Sequence, residues 1–312
     1  MLPISRFWKG KLLNLLTLCI SKIYYWVLQL LNDMKKRKIS KISRLSKKKR
    51  FKTVVITFML LAGSLLFTIF HYGFDPSLLS KLSFYINLAN PYVRIVRVPE
   101  GLRKEEIAEV MADKLGWDEK EKNQFVNIHL AMNSRNQEGR YFPETYIIGK
   151  DETPSAVSAM MFEEFSKQAD KIKREKSKDI INEDAIITIA SIIQRESSGK
   201  EDMKLISGII WNRIFNGMKL QMDATLQYAK GSEEDGWWGQ VSSADKKIDS
   251  SYNTYLHNGF PPGAIANPGL AAMEAAYNPQ KTDCIFYVHD KNRKIHCSKT
   301  YEEHKKNIAK YY

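Results

Sequence analysis

Beyond residue 91 the apolar positions recur with two different periods. Tyr92 to Val98 (YVRIVRV) alternates apolar and basic residues, the pattern of a strand with one buried face. Pro99-Glu100-Gly101 reads as a turn. From Arg103 to Leu115, Ile107, Val110, Met111 and Leu115 share one helical face, and Gly116 ends the run. Asp184 to Glu196 (DAIITIASIIQRE) is almost wholly apolar, which predicts a helix buried on most sides and broken by Ser197-Ser198-Gly199. Met203 to Phe215 predicts a second helix, stopped by Asn216-Gly217, and Gly269 to Tyr277 a third. The halves CIFYVHD and IHCS, joined by KNRK, predict a terminal hairpin. Between these elements lie an aromatic-rich turn at 138–146, a Gly/Trp/Ser loop at 231–250 and turns at 252–255 and 259–265. The mixture predicts an α+β fold without internal repeats.

The first 90 residues follow another pattern. Val54 to Phe70 (VVITFMLLAGSLLFTIF) carries no charge, and at about 1.5 Å per residue it nearly crosses a hydrocarbon core of roughly 30 Å. Eleven Lys and Arg lie between Lys35 and Lys52, immediately before it, and Asp75 follows. The positive-inside rule then puts the N-terminus in the cytoplasm and the rest outside the membrane. A buried core helix would give the same apolar run without those flanks. A cleaved signal peptide would need a small-residue site that does not follow. Leu12 to Leu31 is a weaker stretch, interrupted by Asn14, Ser21, Lys22 and Gln29, and suits the membrane surface. Met34 would serve equally well as an alternative start. The expected division is a basic tail (1–52), a transmembrane helix (53–72), a stalk (73–90), a small subdomain (91–135) and a larger domain (136–312).

Charge sharpens that division. The chain holds 48 Lys and Arg against 35 acids; 15 of the cations and one acid, Asp33, fall in residues 1–52, so this segment carries +14 and the remainder −1. A nucleic-acid-binding domain needs a basic folded face, and a nearly neutral remainder offers none. Three cysteines exclude a disulfide-dense mini-protein. Cys284 and Cys297 flank the hairpin; a bond between them and a pair of free thiols both fit the spacing. No metal-ligand spacing, nucleophile elbow, phosphate-cradling glycine loop or HExxH helix occurs, so no metal or organic cofactor is expected.

Glu196 is the residue with a chemical reading. It ends the buried helix, one turn beyond Ile192 and Ile193. Apolar surroundings and the negative end of the helix dipole both disfavour its charged form, which suits a carboxylic acid that donates a proton near neutral pH. An exposed helix-end glutamate fits the spacing as well. A hydrolase would need a second carboxylate; Asp223 and Glu144 are available, with no distance fixed by sequence.

The ordered segments EGRYFPETY, ASIIQRES, WNRIFNGMKLQMDAT, YNTY, GFPPGAIANPG and HCSKTYEEHKKNI resemble the endolytic murein transglycosylase, or YceG-like, family over roughly residues 95–312. The strand–PEG–helix unit resembles a LysM-like module, a small fold found on cell-wall glycans. The family resemblance implies cleavage of the β-1,4 bond between N-acetylmuramic acid and N-acetylglucosamine in nascent peptidoglycan. It implies Glu196 as the acid that protonates the leaving oxygen, then as the base while the muramyl C6 hydroxyl closes a 1,6-anhydro ring. The substrate supplies its own nucleophile, so one carboxylate suffices. It further implies an inner-membrane enzyme facing the periplasm, working beside peptidoglycan synthases and terminating strand elongation. By the same matching, Gln221, Asp223, Tyr252, Asn253 and Tyr255 line the glycan groove, while Asn212, Arg213, Glu138, Glu144, Pro262 and Gly263 give structural support. A core role for the tyrosines and a purely structural turn at 221–223 are the alternatives. Departures from the family pattern are Gln194, where a second acid is common, QMDAT in place of QTDPT, Cys297 after His296, and the loop at 231–250. The rival functions are an inactive glycan-binding scaffold and a muramidase that uses water.

Overall fold

The computed structural model describes residues 90–128, 137–172 and 182–311, with Thr57 and Ser64. The basic tail, the stretch at Leu12–Leu31 and, those two residues apart, the span expected at 53–72 lie outside the described residues. Among the described residues no helix is long and apolar enough to cross a membrane. The chain divides into the units Met1–Leu79 and Ser80–Tyr312, and every element that follows belongs to the second.

That unit is mixed α and β, with two hydrophobic cores. The smaller core is built on strand β1 (Val93–Arg97), helices α1 (Lys104–Leu115) and α2 (Glu119–Val126), strand β2 (Thr145–Gly149) and helix α3 (Pro154–Ala169). β1 pairs antiparallel with β2, Ile95 opposite Ile147. The partner of β1 therefore comes from beyond residue 135, where the sequence suggested that the subdomain ends. α1 begins where the Arg103 N–H donates to Glu106 Oε2 at 3.0 Å and ends at Gly116, whose φ of 78° suits glycine. Val96, Ile107, Met111, Phe125, Ile148 and Met161 fill the space between these elements.

The larger core surrounds α4 (Glu183–Glu196). Asn182 caps its start and Ser197, in an extended conformation, ends it. Ile186, Ile187, Ile189, Ile192 and Ile193 are all buried, each contributing about 2 kcal/mol of apolar stabilisation. It packs against α5 (Met203–Phe215), α6 (Asp223–Lys230) and α7 (Leu270–Tyr277). Gly208 of α5 lets the helix meet the chain at Gln280; a Cβ there would sit 2.2 Å from the Gln280 carbonyl oxygen. The hairpin β3 (Phe286–His289) and β4 (Ile295–Ser298) follows, then α8 (Tyr301–Tyr311). Cys284 and Cys297 are joined by a disulfide across the foot of the hairpin.

Asn267 ties the two cores together. It is fully buried; its side chain accepts from the Tyr141 N–H at 2.8 Å and donates to Leu102 O at 3.0 Å and to Glu138 Oε1 at 2.7 Å. Glu138, also buried, accepts from the Lys104 N–H at 3.1 Å. Burial pushes its carboxyl up to about 8, with the charge of Glu105 adding to the effect. The folded chain thus holds this proton more tightly than the unfolded chain does. The associated stability is full below the ordinary value of 4.5 and is lost as pH rises towards 8. Glu138→Gln is expected to remove that loss. Urea unfolding should show the variant gaining on the wild type by on the order of a few kcal/mol between pH 5 and pH 8. A gap that does not change with pH would contradict it.

Candidate active site

Glu196 lies where three elements converge. Its own helix, α4, delivers it at the C-terminal end, and the first turn of α6 faces it. The Ala224 N–H donates to Glu196 Oε1 at 3.2 Å, and the Tyr287 hydroxyl, from β3, donates to Oε2 at 2.6 Å. Burial pushes the carboxyl above the usual carboxylate range, with Asp223 adding to the effect; the Tyr287 and Ala224 donors and nearby His289 oppose it. The burial expected at the end of α4 is thus the largest cause. The same geometry leaves the carboxyl reachable, because Glu196 is only partly buried and lines a cleft of about 420 Å³. Arg213, Gln221, Asp223, Tyr255, Tyr287 and His304 are among its other walls.

The sequence-based site residues separate into two groups. Gln221, Asp223 and Tyr255 share the cleft with Glu196. The Tyr255 hydroxyl donates to Asp223 Oδ1 at 2.6 Å, and Lys246 Nζ lies 4.6 Å from the centre of the Tyr255 ring. Gln221 has φ of 53°, a left-handed conformation unusual for a side chain of its size, held by its N–H donating to Thr254 O at 3.1 Å. Tyr252 and Asn253 do not line the cleft. Asn253 is fully buried: it donates to Ile248 O at 2.8 Å and to Lys246 O at 3.2 Å, and accepts from the Tyr255 N–H at 2.9 Å. Its amide folds the YNTY turn and so sets the position of Tyr255. Tyr252 packs against Tyr228, with ring centres 4.8 Å apart.

Arg213 lines the cleft and also holds its frame. The guanidinium donates to Ile285 O at 2.7 Å, Leu220 O at 2.6 Å and Lys219 O at 3.2 Å. Asn212 donates to Thr282 O and Cys284 O. Gly263 is open enough that a Cβ would only touch the Tyr252 hydroxyl, and Pro262 is exposed. Glu144 is exposed and accepts from the N–H of its neighbour Thr145. Gln194, the position of the missing second acid, accepts from the Gly269 N–H at 3.0 Å and thereby caps α7. The 231–250 loop is pinned by its tryptophans: Arg103 lies over Trp237 at 4.3 Å, Arg195 over Trp238 at 3.6 Å, and the Trp238 indole N–H donates to Glu106 Oε2 at 2.8 Å.

Tyr287 is the functional residue that sequence reasoning passed over, together with its supports. His289 stands edge-on to Tyr287, with ring centres 5.7 Å apart, and its Nε2 lies 2.7 Å from Asp202 Oδ2. Asp202 in turn accepts from the Ser198 N–H at 3.0 Å, fixing the chain just after Glu196. The available signal was alternation in FYVH, which puts Tyr287 and His289 on one face of the hairpin.

Comparison with known proteins shows the family. The sequence model of the YceG-like family matches residues 41–310. A Bacillus subtilis protein named endolytic murein transglycosylase is 31% identical over 243 residues, 72% of this chain and 66% of that protein. A Streptococcus pneumoniae protein of the same name is 33% identical over 178 residues, 56% of this chain and 32% of that one. The match thus spans just under two thirds of the Bacillus protein and about a third of the Streptococcus protein. The crystal structure of a putative YceG-like protein from Listeria monocytogenes superposes with a TM-score of 0.60 at 29% identity, covering 68% of this chain and 75% of that one. With a family match that runs through both cores and the whole cleft, the chain belongs to the YceG-like family.

Proposed function

We propose that this chain is an endolytic lytic transglycosylase of peptidoglycan. The observation that carries the reading is Glu196: a carboxyl held by two donors, pushed towards its protonated form by burial, and open to a cleft. The names of the Bacillus and Streptococcus relatives support it. Glu196 gives its proton to the oxygen that links N-acetylmuramic acid to N-acetylglucosamine, and the C1–O bond breaks. The muramyl C6 hydroxyl then bonds to C1 and its proton passes to the Glu196 carboxylate, which restores the acid. Tyr255 offers a ring face to a sugar, and Asp223, its hydrogen-bond partner, orients it. Gln221 lies beside them, and Asn253 acts through the turn it folds.

The same proposal includes a membrane anchor. Residues 53–72 span once, 1–52 stay in the cytoplasm, 73–90 form a stalk, and the LysM-like subdomain from 91 and the catalytic domain to 312 face the periplasm beside the synthases. Digestion of isolated peptidoglycan by the full chain, followed by mass spectrometry of the fragments, tests the chemistry. Anhydro-muramyl ends are expected. Reducing ends instead would show a muramidase, with Asp223 as the available second carboxylate, and uncut strands would show a scaffold.

A further inference from the structure

The two oxygens of Glu196 are not equivalent, and the difference assigns a role to Tyr287. Oε1 faces the backbone N–H of Ala224 at 3.2 Å. A backbone amide can only donate, so Oε1 stays an acceptor in either charge state. The proton of the acid form therefore belongs on Oε2. The partner there is a hydroxyl, which turns about its C–O bond and both donates and accepts. Tyr287 Oη has a second acceptor within reach: Met222 Sδ, at 3.6 Å. Sulfur is a weak acceptor, so it holds the tyrosine proton only when the carboxylate does not demand it.

Resting on the lytic transglycosylase reading, we infer that Tyr287 is a positioning residue whose hydroxyl reverses direction with each proton transfer, donating to Oε2 of the carboxylate and to Met222 Sδ when Oε2 carries the proton. Its own proton stays on Oη throughout. Only the Glu196 proton travels, to the glycosidic oxygen, and the C6 hydroxyl proton replaces it. The donor thus strengthens as negative charge appears on Glu196 and withdraws as it disappears, which places its contribution in the transition state more than in substrate binding. The Asp202–His289 pair holds the Tyr287 ring from its edge. The other charged or titratable groups facing this carboxyl are Arg213 from α5, Asp223 from α6, Tyr255 from the YNTY turn and Arg195 on its own helix; His304 of α8 shares the cleft. None of them touches Oε2 within the hydrogen-bond distances seen here, so the reversal is confined to Tyr287 and Met222.

The test uses the full chain and two variants that change one partner each. Tyr287→Phe keeps the ring and removes the hydroxyl. Met222→Leu nearly conserves volume and removes the sulfur. Two measurements are made: kcat and KM for release of anhydro ends across pH, and the pH titration of the Glu196 side-chain carboxyl carbon by NMR, assigned by its loss in Glu196→Gln. In Tyr287→Phe the carboxylate loses a donor, so the titration is expected to move to higher pH, with kcat falling about 10- to 100-fold and KM changing less than about twofold. In Met222→Leu the hydroxyl has only Oε2 left, so the titration is expected to move the other way. Titrations that stay put, or move in the same direction in both variants, overturn the inference, as does an unchanged kcat in Tyr287→Phe. Opposed shifts in a protein that releases no anhydro ends at all would instead sink the functional reading and leave the hydrogen-bond reversal standing.

Discussion

Glu196→Gln is expected to leave a folded chain that no longer cuts glycan strands, with a loss of roughly 10³-fold or more. The fold survives because the amide repeats most of the carboxyl's contacts. Its oxygen still accepts from the Ala224 N–H, and its NH₂ group meets the Tyr287 hydroxyl, which accepts once its proton turns to Met222. The change removes a half-buried ionisable group from apolar surroundings, so stability should stay within about 1 kcal/mol of the wild type. Chemistry does not survive, because an amide neither protonates a leaving oxygen nor takes a proton from a C6 hydroxyl. The pH dependence follows the same residue. Burial raises the carboxyl, so wild-type cutting should persist to higher pH than an ordinary carboxylic acid would allow and fall away above that as the acid form is lost. Fragment analysis by mass spectrometry beside a thermal melt reads both halves. A Gln variant that melts normally and cuts normally would remove Glu196 from the mechanism.

How much of this site was legible depends on what kind of signal carried each residue. α4 and its terminal glutamate are readable because burial leaves a compositional mark: nine apolar or small side chains in a row, Ala185 to Ile193, admit few other interpretations. α1 and α5 were readable because periodicity and a stopping Gly or Asn-Gly agree to within a residue of the observed ends. α3 carries ordinary start signals, Thr153 as its cap and Pro154 in its first turn, but no strong apolar periodicity to set it apart in the sequence. The short helix α6 and the polar helix α8 leave still weaker marks. α6 begins at Asp223, inside a segment whose turn residues dominate, and α8 buries no residue, so no apolar face announces it. The cleft itself was the least legible feature. Tyr287 reaches Glu196 across 91 residues of chain, and nothing in a strand of alternating residues says which neighbour a hydroxyl will find. The groove assignments at Tyr252 and Asn253 came from resemblance alone. A motif marks a segment as important, but whether each side chain in it touches the cleft or folds the turn depends on which way the turn faces.

Arg213→Met is expected to destabilise the chain by about 3–5 kcal/mol and to cost activity even in the fraction that stays folded. Its partner set is unusual. No carboxylate pairs with this guanidinium within salt-bridge distance among the described residues; instead it donates to the carbonyls of Ile285, Leu220 and Lys219, with Gln221 Oε1 at 3.5 Å. Burial lowers its pKa, as desolvation must for a cation. Methionine fills much of the space but leaves those carbonyls without donors, at about 1–3 kcal/mol each before relaxation. The three carbonyls belong to two walls of the cleft: 219–221 leads into the strained Gln221 and then α6, while Ile285 leads into β3 and Tyr287. Both donors to Glu196 therefore depend on the one side chain. Arg213→Lys keeps the charge but offers a point donor in place of a planar fork, so it should fall between the two. Urea midpoints give the order wild type, Lys, Met. Initial rates, taken well below the Met variant's midpoint, should fall in that order too. A methionine variant as stable and as fast as the wild type would mean that water satisfies the three carbonyls and that the cleft keeps its shape without Arg213.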